Sequence, residues 1–105
     1  MTIEPRYNAT VTLFVPLAPG TALLRVALDG AAFPYEAGQY TILGLRRDAA
    51  RDPLAQGDRE EIADLPDDFL LRRAYSITSN SKDRELEFIV TLIHTGTLSP
   101  RLFAL

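Results

Sequence analysis

Leu86-Glu87-Phe88-Ile89-Val90-Thr91-Leu92-Ile93-His94 decides what kind of fold this chain adopts. Leu86, Phe88, Val90 and Leu92 alternate with Glu87, Ile89, Thr91 and Ile93, a period of two that belongs to a strand and not to a helix. Beyond Glu87 both sets of positions are mostly apolar, so the pattern predicts a strand covered on nearly both faces, central in a sheet or part of a barrel. Toward the N-terminus, Leu71 to Ser79 is a second extended segment. Tyr40-Thr41-Ile42-Leu43-Gly44-Leu45 is a third, reached from Phe33-Pro34-Tyr35 through Ala37-Gly38-Gln39. Thr21 to Leu28 sets Leu24, Val26 and Leu28 on one face and Arg25 on the other, and stops at Asp29-Gly30. Ala9-Thr10-Val11-Thr12-Leu13-Phe14-Val15 is rich in β-branched residues and stops at Pro16, where the run through Gly20 predicts a turn and so a hairpin. These segments make the chain mainly β.

Arg46 to Leu70 interrupts the series with Asp, Pro and Gly punctuation and no sustained helical stripe. A helical turn is expected at Asp58 to Ala63, with Asp58 capping Arg59-Glu60-Glu61-Ile62, and mobility elsewhere in so long a loop. Residues 46–70 hold eight of the fourteen acids and four of the eleven bases, so the loop is net −4 and the remainder +1, for −3 overall. It reads as a solvated insertion. No basic stripe with interleaved aromatics remains, which argues against nucleic-acid binding.

At 105 residues the chain is one small domain with a single core. No apolar run reaches membrane-spanning length, and Met1-Thr2-Ile3-Glu4-Pro5 does not open a secretory signal. Without cysteine there is no disulfide framework, thiolate chemistry or usual zinc site. The cytoplasm is the expected compartment. No metal-ligand spacing, paired-carboxylate signature or Ser-His-Asp constellation is present, and His94, the only histidine, is given no catalytic role.

Two short motifs carry the chemistry. Arg73-Ala74-Tyr75-Ser76 offers a guanidinium suited to a pyrophosphate, a phenol ring suited to a flat heterocycle, and a hydroxyl, all within one extended segment. Gly96-Thr97-Leu98-Ser99-Pro100 is a glycine turn opening into a helix start, where backbone N–H groups attract anions. Ser99 is the expected N-cap and Pro100 the first helical residue, with Arg101, Leu102, Phe103 and Leu105 as packing residues. Together the two motifs point to a flavin-dinucleotide site. Strands that end in a beginning helix predict a domain, 1–105, that is incomplete at its C-terminus. An uncovered strand edge would let two chains pair edge to edge.

Three motifs in order, Ala37-Gly38-Gln39-Tyr40, Arg73-Ala74-Tyr75-Ser76 and Gly96 through Leu102, resemble the A-G-Q-[FY], R-x-Y-S and G-x-L-S-P-R-L stretches of the N-terminal flavin-binding domain of bacterial ferredoxin (or flavodoxin)–NADP⁺ reductases. The resemblance covers most of the chain. The fold it implies is a six-stranded antiparallel Greek-key barrel with one capping helix, of which five strands and the start of the helix are read here. The loop at 46–70 is longer than in the compact bacterial members.

By the same resemblance, Arg73 would hold the FAD pyrophosphate and Tyr75 would lie against the isoalloxazine. Ser76, following Ala74 and Tyr75, would place its hydroxyl near the flavin's reactive nitrogen, so Tyr75 and Ser76 would border the chemistry. Backbone groups of Ile89, Val90, Thr91 and Leu92 would edge the flavin, and Gly96, Thr97, Leu98 and Ser99 would present N–H groups to the pyrophosphate. Tyr35, Tyr40 and Phe33 are expected in the core or at its rim. NADP(H) would bind a second domain, since these residues offer no glycine-rich phosphate loop in a βαβ unit. Ferredoxin or flavodoxin would be the partner. Two other readings stay open: a non-catalytic flavin-binding module of an electron-transfer complex, and a flavin-free barrel serving only in interactions.

Overall fold

The computed structural model describes residues 7–30, 35–36, 38–53, 55, 62, 64–79 and 85–105. Its elements are β1 (Ala9–Ala18), β2 (Thr21–Leu28), β3 (Tyr40–Arg46), β4 (Leu70–Ser76), β5 (Glu85–Thr91) and the short helix α1 (Ser99–Leu102). The described chain is thus mainly β, in a three-stranded sheet of order β1-β2-β5 and a two-stranded sheet β3-β4. None of its helices is long and apolar enough to cross a membrane. Contacts group the chain into two compact units, one of residues 1–6, 43–73 and 92–105, the other of 7–42 and 74–91.

The second unit holds the three-stranded sheet. β1 and β2 form the expected hairpin, but β1 runs through Pro16 to Ala18, where the sequence predicts a stop at Val15. Proline is tolerated there because β1 lies at the outside of this sheet, where a missing N–H costs no ladder bond. The turn shrinks to Pro19-Gly20, with Gly20 at φ +75°, the left-handed conformation that glycine adopts without steric cost. Register shifts at Val11/Leu13 and Pro16/Ala18 bend β1, a feature that protects an outer strand from unwanted pairing.

β2 and β5 pair antiparallel from Thr21↔Thr91 to Ala27↔Glu85. Alternation then selects the core: Ala22, Leu24 and Val26 from β2 meet Leu86, Phe88 and Val90 from β5, with Tyr35 and Ile77 also buried. The opposite face of β5 does not follow the expectation of two covered faces, because Ile89 is 45% exposed and Thr91 is exposed. β5 also ends at Thr91, not at His94, and lies at the end of the strand order.

β4 ends at Ser76, three residues before the expected Ser79, because the chain there changes partner. Ile77 donates its N–H to the Gln39 carbonyl at 2.8 Å, whereas Thr78 donates to the Glu87 carbonyl at 2.7 Å. Ser79 Oγ accepts the Glu87 N–H at 3.1 Å and shares a hydrogen bond with the buried Tyr35 hydroxyl at 2.8 Å. The segment that follows Tyr75 and Ser76 is in this way fastened to β5.

In the first unit, Arg47 donates its N–H to the Phe69 carbonyl at 2.8 Å and Asp48 to that of Asp67 at 3.0 Å. Falling partner numbers against rising ones mark antiparallel pairing that continues past the strand ends. Residues at the base of the acidic insertion are therefore structured, and Arg47 also pairs with Asp67 through its side chain. Of the helical turn expected at 58–63, only Ile62 is among the described residues, and it is helical. Phe33 and Ala37 lie outside them. Tyr35 is buried as expected, but Tyr40 is 66% exposed and so belongs to no core.

Candidate functional site

The first unit contributes Arg73, Leu92 and the turn before α1. That turn is a tight loop from Ile93 to Ser99. Gly96 donates its N–H to the Ile93 carbonyl at 2.8 Å, and Ser99 Oγ accepts the Ile93 N–H at the same distance. A Cβ on Gly96 would stand 3.1 Å from the Ile93 carbonyl oxygen and 3.2 Å from its Cβ, so glycine is needed for close approach and not for an unusual dihedral angle.

These bonds revise two expectations. The N-cap of α1 is Leu98, without a side-chain capping bond, and Ser99 is the first helical residue, because its hydroxyl is committed to Ile93. The Gly96 N–H is likewise spent within the loop and has nothing left for a ligand. The amides of Thr97, Leu98 and Ser99, by contrast, donate to no acceptor among the described residues. The buried hydroxyl of Thr97 has no hydrogen-bond partner either, an arrangement that ordinary folding avoids.

Arg101 holds the turn from inside. It is 1% exposed, and its Nε and Nη2 donate to the Arg47 carbonyl at 3.0 and 2.8 Å while Nη1 donates to the Thr97 carbonyl at 2.8 Å. Asp52 adds an N–H bond to the Pro100 carbonyl at 2.8 Å, tying the insertion's first residues to α1. The helix start at Ser99-Pro100 marks Arg101 as a packing residue but gives no hint that it would brace a turn. Leu105, expected to pack, is 54% exposed.

Arg73 lies exposed on β4. Its Nη1 donates to the carbonyl of its neighbour Arg72 at 2.6 Å, and no carboxylate among the described residues pairs with it. Leu92 is half-buried and lies just past the end of β5.

The second unit contributes Ala74, Tyr75 and Ser76 from β4, and Ile89, Val90 and Thr91 from β5. Tyr75 is half-buried between exposed Ala74 and Ser76. The Val90 side chain is fully buried, so only its backbone can border a ligand, whereas Ile89 and Thr91 point outward. β5 spends one edge on β2, and no described strand pairs with the other.

A flavin dinucleotide requires cationic or N–H donors for its pyrophosphate and apolar surface for its ring system. Within the first unit, Arg73, the three undonated amides and the orphaned Thr97 hydroxyl have the chemistry of the first need; within the second unit, taken by itself, Tyr75 and Ile89 offer apolar surface of the second kind.

Over 84 residues the chain is 32% identical to the flavodoxin/ferredoxin–NADP reductase of Escherichia coli (strain K12), and equally to that of Shigella flexneri. The alignment takes in 80% of this chain and 26% of each reductase, so the chain spans about a quarter of the length of the curated relatives it matches. No family model matches the sequence. No solved structure matches it either.

Proposed function

We propose that this chain is an FAD-binding domain of the ferredoxin/flavodoxin–NADP⁺ reductase kind. The observation that carries the reading is the 32% identity to two such reductases over 80% of the chain. In this reading the two sheets belong to a six-stranded Greek-key barrel. Nicotinamide binding falls to a second domain, ferredoxin or flavodoxin exchanges electrons with the assembled protein, and the cytoplasm is the compartment.

Bound flavin would supply the chemistry, converting between two-electron exchange with a nicotinamide and one-electron exchange with a carrier. This chain's residues hold and orient it. Arg73 binds the pyrophosphate, a charge-assisted contact worth roughly 1.5–3 kcal/mol. The support for that role is an exposed guanidinium with no carboxylate to displace. The amides of Thr97, Leu98 and Ser99, with the Thr97 hydroxyl, complete the pyrophosphate contacts, and Arg101 keeps that turn in shape. Tyr75 supplies a broad apolar surface to the ring system, and Ser76 a hydroxyl beside it. Backbone along Ile89 to Leu92 borders the flavin.

A visible absorbance and fluorescence titration with FAD tests the reading. Saturable quenching with a shifted flavin band is expected, with affinity falling about tenfold to a hundredfold in Arg73→Ala, the equivalent of the energy above. FMN, which lacks the pyrophosphate, is expected to bind more weakly than FAD. A chain that leaves FAD absorbance and fluorescence unchanged at every concentration would rule the reading out.

A further inference from the structure

α1 spans four residues, far too few to hold a helix in place by its own bonds, and its N-cap Leu98 makes no side-chain capping bond. Its position, and that of the 97–99 turn before it, is set by bonds from outside. Two of these come from the start of the acidic insertion. The Arg47 carbonyl accepts Arg101 Nε and Nη2 at 3.0 and 2.8 Å, and the Asp52 N–H donates to the Pro100 carbonyl at 2.8 Å.

Peptide planarity carries this anchoring to a single donor. In a trans peptide the C=O and N–H lie in one plane and point in opposite directions. The Thr97 carbonyl accepts Arg101 Nη1 at 2.8 Å, and the N–H sharing its plane is that of Leu98, one of the three undonated amides. Arg101 therefore fixes where the Leu98 N–H points. The Arg47 carbonyl is aimed in the same way. It shares its plane with the Asp48 N–H, which donates to the Asp67 carbonyl at 3.0 Å on the opposite side. The Asp67 carboxylate also pairs with the Arg47 guanidinium, whose Nε is buried without a hydrogen-bond partner among the described residues. Asp67 thus holds Arg47 through backbone and side chain together. Every residue in this series of bonds belongs to the first unit.

We propose that Asp67 is a positioning residue for pyrophosphate binding. Its carboxylate steadies Arg47, the 47–48 peptide steadies the Arg101 guanidinium, and Arg101 aims the Leu98 N–H at the anion. A hydrogen bond weakens steeply as its angle closes, so a small rotation of the 97–98 plane is felt by the ligand. The inference rests on the flavin reading for the identity of that ligand, whereas the bonds that aim the amide are made without one.

The test uses the intact chain with Asp67→Ala, Asp67→Glu and Arg47→Met. The Asp67 side chain is 72% exposed, so its removal leaves the core alone. In amide NMR spectra without ligand, Asp67→Ala is expected to shift the Leu98 signal, while the Gly96 signal, held by Ile93, stays in place. In FAD titrations the same variant should weaken binding about twofold to fivefold, as befits an ion pair with one exposed partner. Asp67→Glu should restore both readouts, and Asp67→Ala should add nothing once Arg47→Met is present. An unmoved Leu98 signal overturns the proposal, as does wild-type FAD affinity in Asp67→Ala, or the same loss from Asp67→Ala with Arg47 already replaced. Inorganic pyrophosphate separates this proposal from the flavin reading. A chain that ignores FAD but whose Leu98 amide responds to pyrophosphate, less so in Asp67→Ala, supports the positioning role and removes only the flavin. Binding of FAD that Asp67→Ala leaves untouched removes only the positioning role, and no response to either probe overturns both.

Discussion

The Ser99 hydroxyl accepts the Ile93 N–H at 2.8 Å and so closes a loop behind the helix that Ser99 begins, instead of capping that helix. Ser99→Ala removes this bond without changing volume much. A loss of about 1 kcal/mol is expected, the net worth of one such hydrogen bond. Urea unfolding at unchanged m-value measures it; a midpoint equal to wild type would show that Gly96 alone closes the loop.

Gly96→Ala probes the same loop by crowding. The new methyl would meet the Ile93 carbonyl oxygen at 3.1 Å, and the backbone must shift to accept it. Overpacking of this kind typically costs about 1–3 kcal/mol. By contrast, Gly44→Ala meets Arg72 Cγ only at ordinary contact distance, 3.4 Å, and should change stability little. Equal melting temperatures for the two variants would contradict the crowding argument.

Arg101 bridges the Arg47 and Thr97 carbonyls with three donors in fixed geometry. Lysine keeps the charge but cannot reproduce the fork, so Arg101→Lys is expected to destabilise by roughly 1.5–3 kcal/mol, the range for a hydrogen bond to a charged group. If stability were insensitive to that change, the guanidinium geometry would be incidental.

Strand β5 can be divided by face. Phe88 has no exposed surface, and Phe88→Ala should cost about 3–5 kcal/mol through lost burial and a residual cavity. Its neighbour Ile89 points outward, and Ile89→Ala should stay within about 0.5 kcal/mol of wild type. A comparable penalty at both positions would mean that the outer face of β5 is covered in solution.

Strand-level order was legible because alternation survives translation into structure: Thr21 to Leu28 is β2 residue for residue, and Leu86, Phe88 and Val90 are buried as their spacing requires. What alternation could not supply was the second face. Ile89 and Ile93 look as apolar as Leu86, yet both are exposed, since hydrophobicity states a tendency to be covered and not what covers it. Strand ends were missed for local reasons. Pro16 is harmless on an outer strand, and the segment after Ser76 trades Gln39 for Glu87 within two residues.

For the candidate site, the sequence picked the Arg73 segment and the Gly96 turn but not the allocation of their donors. Whether Gly96 or Thr97 keeps a free N–H depends on how the chain closes at Ile93, 3 residues earlier for Gly96, and no motif encodes that.

The paired bonds Arg47 N–H to Phe69 and Asp48 N–H to Asp67 hold the two ends of the acidic insertion together before its interior is considered. Once a loop's ends are pinned, doubling its length costs only about 0.6 kcal/mol in closure entropy. The stretch between those bonds is therefore a place where evolution can change chain length cheaply, and where a reporter domain can be spliced in without asking β3 or β4 to give up their pairing.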